Sequence, residues 1–212
     1  MIMQRLRALA LVAAPLALAA AVAPAALIAQ AAPSGLGQVQ AHLRTVQTMT
    51  ANFTQTGSRG RALSGTLIIR RPGHIRFDYG RSANMLIVGD GNALTFIDYD
   101  VGQRQRWPVN DSPLSVLLNP NQDLSRFAHV VQDDAQVLMI EARDNRRREF
   151  GTITIAFAKV AGAPGGLSLQ GWNTRDAQNN LTTVRLSDQR FNVPVADAAF
   201  RYREPTRRAP RG

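Results

Sequence analysis

Apolar residues recur first at Leu36, Val39, Leu43, Val46 and Met49. Spacings of three and four place them on one stripe of a helix running from about residue 36 to 48. At Thr50 the period drops to two. Short runs rich in Ile, Val, Thr and aromatic residues then alternate with Gly, Pro, Asn and Asp, which predicts strands at 51–55, 64–70, 74–79, 84–88, 94–99 and 104–109. After an interruption the pattern resumes at 128–132, 137–142, 152–157, 167–173, 181–189 and 200–203. Many short, evenly spaced strands with turn signals between them indicate an antiparallel barrel or a strongly curved sheet, mainly β with some α. Arg71-Pro72-Gly73 and Asp90-Gly91-Asn92 sit at hairpin distances, so residues 63–99 read as a meander. Between 113 and 119, Leu114, Leu117 and Leu118 stand at i, i+3 and i+4, with Ser112 as N-cap and Pro113 in the first helical position. That is a short amphipathic helix inserted in a β protein.

Several strands are apolar on both faces. Leu67-Ile68-Ile69 and Met85-Leu86-Ile87-Val88 show no polar alternation, so neither face is expected to meet water. The 74–79 run alternates, with Ile75, Phe77 and Tyr79 on one side and His74, Arg76 and Asp78 on the other. One wall of a curved sheet would then carry Leu67, Ile69, Ile75, Phe77, Met85, Ile87, Leu94 and Phe96. Such a wall either fills a closed core or lines a ligand cavity, and the pattern leaves both open.

The N-terminus changes the picture. Arg5 and Arg7 precede an Ala/Leu/Val run that ends at Ala29-Gln30-Ala31, the order of a secretory signal peptide cleaved after Ala31. The alternative is a retained anchor, since residues 8–28 approach the ~20 residues that span a bilayer. Pro15, Pro24 and the abundance of Ala favour the signal. The chain thus divides into a signal at 1–31, one domain at 32–205, and a basic C-terminal tail at 206–212. There is no cysteine, which excludes disulfides, thiolate metal sites and a lipid-modified cysteine. Removing 1–31 takes away two arginines and no acids, leaving a net charge of +8. Lys159 is the only lysine, and arginine abundance reflects codon composition as readily as function. For an exported protein the charge favours anionic membrane surfaces or an acidic partner rather than nucleic acid.

Catalytic and metal chemistry finds little support. His42, His74 and His129 show no metal-ligand spacing and read as surface or boundary residues. No G-x-S-x-G elbow occurs. Asp98, Asp100, Asp133, Asp134, Asp176 and Asp188 fall mainly in turns and at strand ends, where Asp makes local hydrogen bonds. The NRRRE run at 145–149 reads as a charged hairpin loop, with lipid-headgroup contact as the alternative. No cofactor and no enzymatic activity are expected.

Taken together these residues resemble the LolA-like outer-membrane lipoprotein carriers. Ala51-Asn52-Phe53-Thr54-Gln55-Thr56 is similar to the family's A-x-F-x-Q start. Gly65-Thr66-Leu67, followed by Arg71-Pro72-Gly73-His74-Ile75-Arg76-Phe77-Asp78-Tyr79, resembles its G-x-L-x-x-x-R-P-x-x-[FI]-x-[WF] segment. Ile87-Val88-Gly89-Asp90-Gly91 with Asp98-Tyr99-Asp100, and Ser112-Pro113-Leu114 through Leu118, resemble later motifs. The similarity runs from about 36 to 205. It implies a single-domain incomplete antiparallel β-barrel with helices forming a lid over an apolar cavity. The implied lipid-binding residues are the eight of the wall together with Leu114, Leu117 and Leu118. By the same resemblance Arg71 is the lid gate, bonding the lid helices when closed and loosening on loading; its alternative is an ordinary strand-end arginine. The implied activity is that of a monomeric periplasmic carrier. It would take acylated lipoprotein cargo from an inner-membrane ABC-type lipoprotein-releasing complex and pass it to an outer-membrane lipoprotein acceptor. A lipid-binding or sensor module of the same fold, without transfer, is the alternative. Two departures stand out: Ile75 and Phe77 replace bulkier aromatics of some relatives, and the C-terminal extension of some members is absent.

Overall fold

The computed structural model describes residues 34–143 and 151–206. The expected signal at 1–31, the NRRRE loop and residues 207–212 of the tail lie outside the described residues. Ser34 caps helix α1 (Gly35–Thr45), its hydroxyl accepting from the Gly37 N–H at 3.2 Å. The helix ends three residues earlier than its apolar spacing predicts. Val46 already has extended backbone, and Met49 belongs to strand β1 (Thr48–Thr56), where it sits opposite Ile69. Thr48 and Thr50 are β-branched and favour the strand, which takes over once pairing to β2 becomes available.

Strands β2 (Ala62–Arg70), β3 (His74–Asp78), β4 (Met85–Asp90), β5 (Ala93–Asp98) and β6 (Gln103–Pro108) continue as an antiparallel meander, with the one-turn helix α2 (Gly80–Ala83) between β3 and β4. Strands β7 (Ala128–Asp133), β8 (Val137–Ala142), β9 (Thr152–Lys159), β10 (Leu167–Arg175) and β11 (Leu181–Phe191) form a second meander. Pairing of β1 with β11 joins the two into one eleven-stranded sheet, ordered β6-β5-β4-β3-β2-β1-β11-β10-β9-β8-β7. The sheet curves without closing, so β6 and β7 are its two open edges. Residues 109–127 connect those edges and carry two 3-10 turns and helix α3 (Ser115–Leu118). The Ser112 hydroxyl accepts from the Leu114 N–H at 3.2 Å, so the expected cap acts on the turn just before α3.

The turns behave as their chemistry requires. Asp90 Oδ1 accepts from the Asn92 and Ala93 N–H groups, and Gly91 takes a φ of +96°. A Cβ on Gly73, whose φ is +76°, would lie 2.7 Å from the Gly91 backbone. The β2–β3 and β4–β5 turns therefore pack this closely because Gly73 carries no Cβ.

The expected twelfth strand at 200–203 does not form. After β11 the chain crosses the outer face of the sheet through a 3-10 turn at Asp197–Phe200. There Phe200 packs with Leu86, Val88 and Ile97, alongside half-buried Ile68, Val195 and Tyr202. These apolar residues find burial on the sheet's back rather than pairing at an edge. Inside the curve a larger cluster draws on α1, α3 and residues from both meanders. Among the described residues no helix is long and apolar enough to cross a membrane.

Candidate functional site

Antiparallel register brings the eight expected wall residues onto one face, because directly opposed residues share a side. Leu67 stands opposite Phe77, Phe77 opposite Ile87, and Ile87 opposite Phe96. Ile69 stands opposite Ile75, Ile75 opposite Gly89, and Gly89 opposite Leu94. Met85 lies two residues before Ile87 and shares its side. Leu67, Ile69, Ile75 and Leu94 are 0% exposed and Phe77 is 3% exposed, so the concave side is filled over these five. Met85, Ile87 and Phe96 are half-buried, and the wall opens in their direction. Leu117 and Leu118 on α3 are fully buried in the same cluster, while Leu114 packs against it half-buried.

The other half of the face went unassigned at the sequence level. Phe53 meets Phe77 edge-on at 5.2 Å and Tyr79 at 5.0 Å, and Phe77 meets Trp172 at 6.1 Å. Ile155 lies opposite Trp172 and Ile140, extending the apolar surface into the second meander. The signal was present: Ile153, Ile155 and Phe157 alternate with smaller or polar residues as clearly as Ile75 and Phe77 do.

Arg71 joins the elements of the cover. It is 5% exposed; its Nε donates to the Leu117 carbonyl at 2.7 Å and its Nη1 to the Val46 carbonyl. Its own N–H donates to the Gln47 carbonyl, and the Gly73 N–H to the Leu118 carbonyl at 3.0 Å. One guanidinium thus ties the end of α1 to α3 above the β2–β3 turn. Burial lowers its pKa to about 10, so it stays charged at neutral pH. Among the described residues the guanidinium bonds to carbonyls and to no carboxylate, an arrangement with a high desolvation cost and little Coulombic return. A buried cation held this way is easier to release than one paired with a carboxylate.

His42 corrects the expectation of a surface or boundary residue. It lies on the buried face of α1, 1% exposed, with Phe157 and Phe191 edge-on at 5.3 and 6.0 Å. Its Nδ1–H donates to the Pro164 carbonyl at 2.8 Å. Burial, helped by the Arg71 charge, lowers its pKa from 6.5 to about 4 against the pull of that carbonyl. At neutral pH α1 therefore docks through an uncharged imidazole.

The family model described as "Outer membrane lipoprotein carrier protein LolA" matches residues 44–203. A protein of Chromobacterium violaceum named outer-membrane lipoprotein carrier protein is 31% identical over 184 residues, spanning 81% of this chain and 84% of its own. One of the same name from Nitrosospira multiformis is 29% identical over 184 residues, with 81% and 86% covered. Among solved structures, a LolA superfamily protein of Nitrosomonas europaea is similar with a TM-score of 0.44 at 9% identity, covering 81% of this chain and 99% of that one. The chain belongs to the LolA family of outer membrane lipoprotein carrier proteins.

Proposed function

We propose that this protein is a periplasmic carrier for the acyl chains of lipoproteins, exported by residues 1–31. It receives cargo from an ABC-type releasing complex in the inner membrane and delivers it to an acceptor in the outer membrane. The observation that carries this reading is a continuous apolar concave face, closed by helices that a single buried arginine holds through carbonyls. The names of the relatives support it.

The energetics fit carriage. At ~0.8 kcal/mol per methylene, one sixteen-carbon chain gains up to about 12 kcal/mol on leaving water. With the cover closed, the wall residues already satisfy one another. Loading therefore exchanges protein contacts for acyl contacts, which keeps the net affinity low enough for the cargo to leave again. Opening the cover must break the bonds from Arg71 to Leu117 and Val46.

In a reconstituted assay Arg71→Leu is expected to accept lipoprotein but transfer it poorly. Normal transfer by this variant overturns the gate. Photocrosslinkers at Phe77 and Leu117 are expected to capture lipidated cargo only, and equal capture of unlipidated cargo overturns the carrier reading itself.

A further inference from the structure

The hinge between α1 and β1, residues 45–48, is held from two sides. Arg71 takes the Val46 carbonyl with its guanidinium and the Gln47 carbonyl with its own N–H. Asn192, just past the end of β11, takes the remaining groups. Its Oδ1 accepts from the Gln47 N–H at 2.9 Å, its Nδ2 donates to the Thr45 carbonyl at 3.2 Å, and its own N–H donates to the Thr48 carbonyl at 2.8 Å. The Thr48 hydroxyl answers by donating to the Val193 carbonyl at 2.6 Å. Asn192 sits at a φ of +54°, a left-handed conformation that Asn enters more readily than other side chains except glycine. Backbone and side chain of one residue thus both fasten the hinge to the second meander, without using Arg71.

The rest of α1 is tied to the same half of the sheet. His42 donates to the Pro164 carbonyl and the Gln38 side chain to the Gly165 carbonyl at 3.4 Å, both on the β9–β10 turn. That turn approaches so closely that a Cβ on Gly165 would lie 3.0 Å from the His42 backbone. α3 is anchored elsewhere. Among the described residues, the hydrogen bonds that leave residues 114–120 run to Arg71 and Gly73 on the β2–β3 turn and to the Gln40 side chain, which donates to the Pro120 carbonyl. We infer that Asn192 is a positioning residue of the carrier, on whose reading this rests: it keeps α1 fixed to the second meander, so that release of Arg71 frees α3 alone. When the guanidinium lets go, α1 loses one bond at Val46 and keeps those to Asn192, Pro164 and Gly165. α3 loses its side-chain tie at Leu117 and keeps only the bonds at Leu118 and Pro120. The cover therefore parts between its two helices, and the acyl chain enters beside a stationary α1.

Amide hydrogen exchange of the full chain reads the two helices separately, at residues 38–46 for α1 and 117–119 for α3. In Arg71→Leu, exchange at 117–119 is expected to quicken about tenfold or more while 38–46 stays within about twofold of wild type. Should that variant not fold, wild type loaded with an N-palmitoyl peptide below its micelle concentration is expected to show the same split. Asn192→Gly keeps the left-handed backbone and removes only the carboxamide. It is expected to reverse the pattern, quickening 38–46 about fivefold and leaving 117–119 as in wild type. Asn192→Asp, which retains the acceptor for the Gln47 N–H, is expected to fall between Gly and wild type. Equal quickening of both helices in Arg71→Leu or in the loaded protein, or unchanged α1 exchange in Asn192→Gly, overturns the assignment of Asn192. Failure of wild type to bind the N-palmitoyl peptide overturns the carrier reading instead, and the exchange of the unloaded variants still decides whether Asn192 fixes α1.

Discussion

Strand β4 and the 67–69 run of β2 are apolar on both sides, and the two sides of the β2–β5 wall are covered in opposite ways. On the concave side the cover is helical and its polar ties are few and buried, centred on Arg71. On the outer side the cover is the C-terminal segment, and its ties are many and mostly exposed. Arg70 reaches Asp197 and the Val195 carbonyl and lies 4.8 Å over the Phe200 ring. Arg76 donates to the Ala199 and Arg201 carbonyls, Tyr99 to the Arg203 carbonyl, and Arg104 pairs with Glu204 at 2.6 Å. Adjacent residues of one chain, Arg70 and Arg71, thus serve the two covers. Many weak, screened contacts make a permanent strap, because no single loss releases it. The helical cover instead depends on a few desolvated contacts of one residue, Arg71, the gate proposed above.

The largest expected contrast between the covers lies in their aromatic anchors. Phe53→Ala, under the helical cover at the centre of the ring cluster, is expected to cost ~3–5 kcal/mol of global stability in urea denaturation. Phe200→Ala should cost only about 1–2 kcal/mol, since its cluster is the smaller of the two and the strap's other ties hold it in place. Equal losses would mean that the strap is part of the cooperative core.

The next effect is acid sensitivity on the concave side. An unfolded imidazole takes its proton near pH 6.5, whereas folded His42 takes it only near 4. Its contribution is therefore complete above pH 6.5 and is lost as the pH falls toward 4. At about 1.4 kcal/mol per pH unit across that window, the loss approaches ~3 kcal/mol. Stability measured from pH 7 to 4 should fall more steeply in wild type than in His42→Leu. Parallel curves would show that the helix docks regardless of this proton.

The smallest effect belongs to the strap's ion pair. The Asp197 side chain is 83% exposed, and its carboxyl is held below the usual range chiefly by the hydrogen bond from Arg70. Asp197→Asn is expected to lower the Tm by less than about 2 °C, and molar salt should erase the difference. A larger, salt-resistant drop would move the strap into the class of the helical cover.

Parts of this arrangement were legible in the residues alone. The wall of β2 to β5 could be assembled because tight turns such as Asp90-Gly91-Asn92 fix the register between neighbouring strands, and register decides which side chains share a face. The matching half, with Phe157 and Ile140, alternates just as plainly, but its union with the first wall depends on β1 pairing with β11, far apart in sequence. His42 was misplaced because a polar residue on an apolar stripe reads as its edge; the carbonyl that satisfies it belongs to Pro164, on a distant turn. The run from Phe200 to Arg203 has the composition of a strand, and nothing local distinguishes pairing at an edge from packing on a back.

The sequence by itself determined the period of each element, the turn chemistry, the absence of cysteine and the two-sided apolar character of the central strands. These follow from local sterics and from the spacing of side chains along an extended backbone. Only the tertiary structure decided what lies against each side: helices hydrogen-bonded to Arg71 within the curve, and the chain's own C-terminal segment behind it. Burial sets no preference between those covers. What separates them is which distant segment brings carbonyls to a buried cation and which brings acids and aromatic rings to exposed ones.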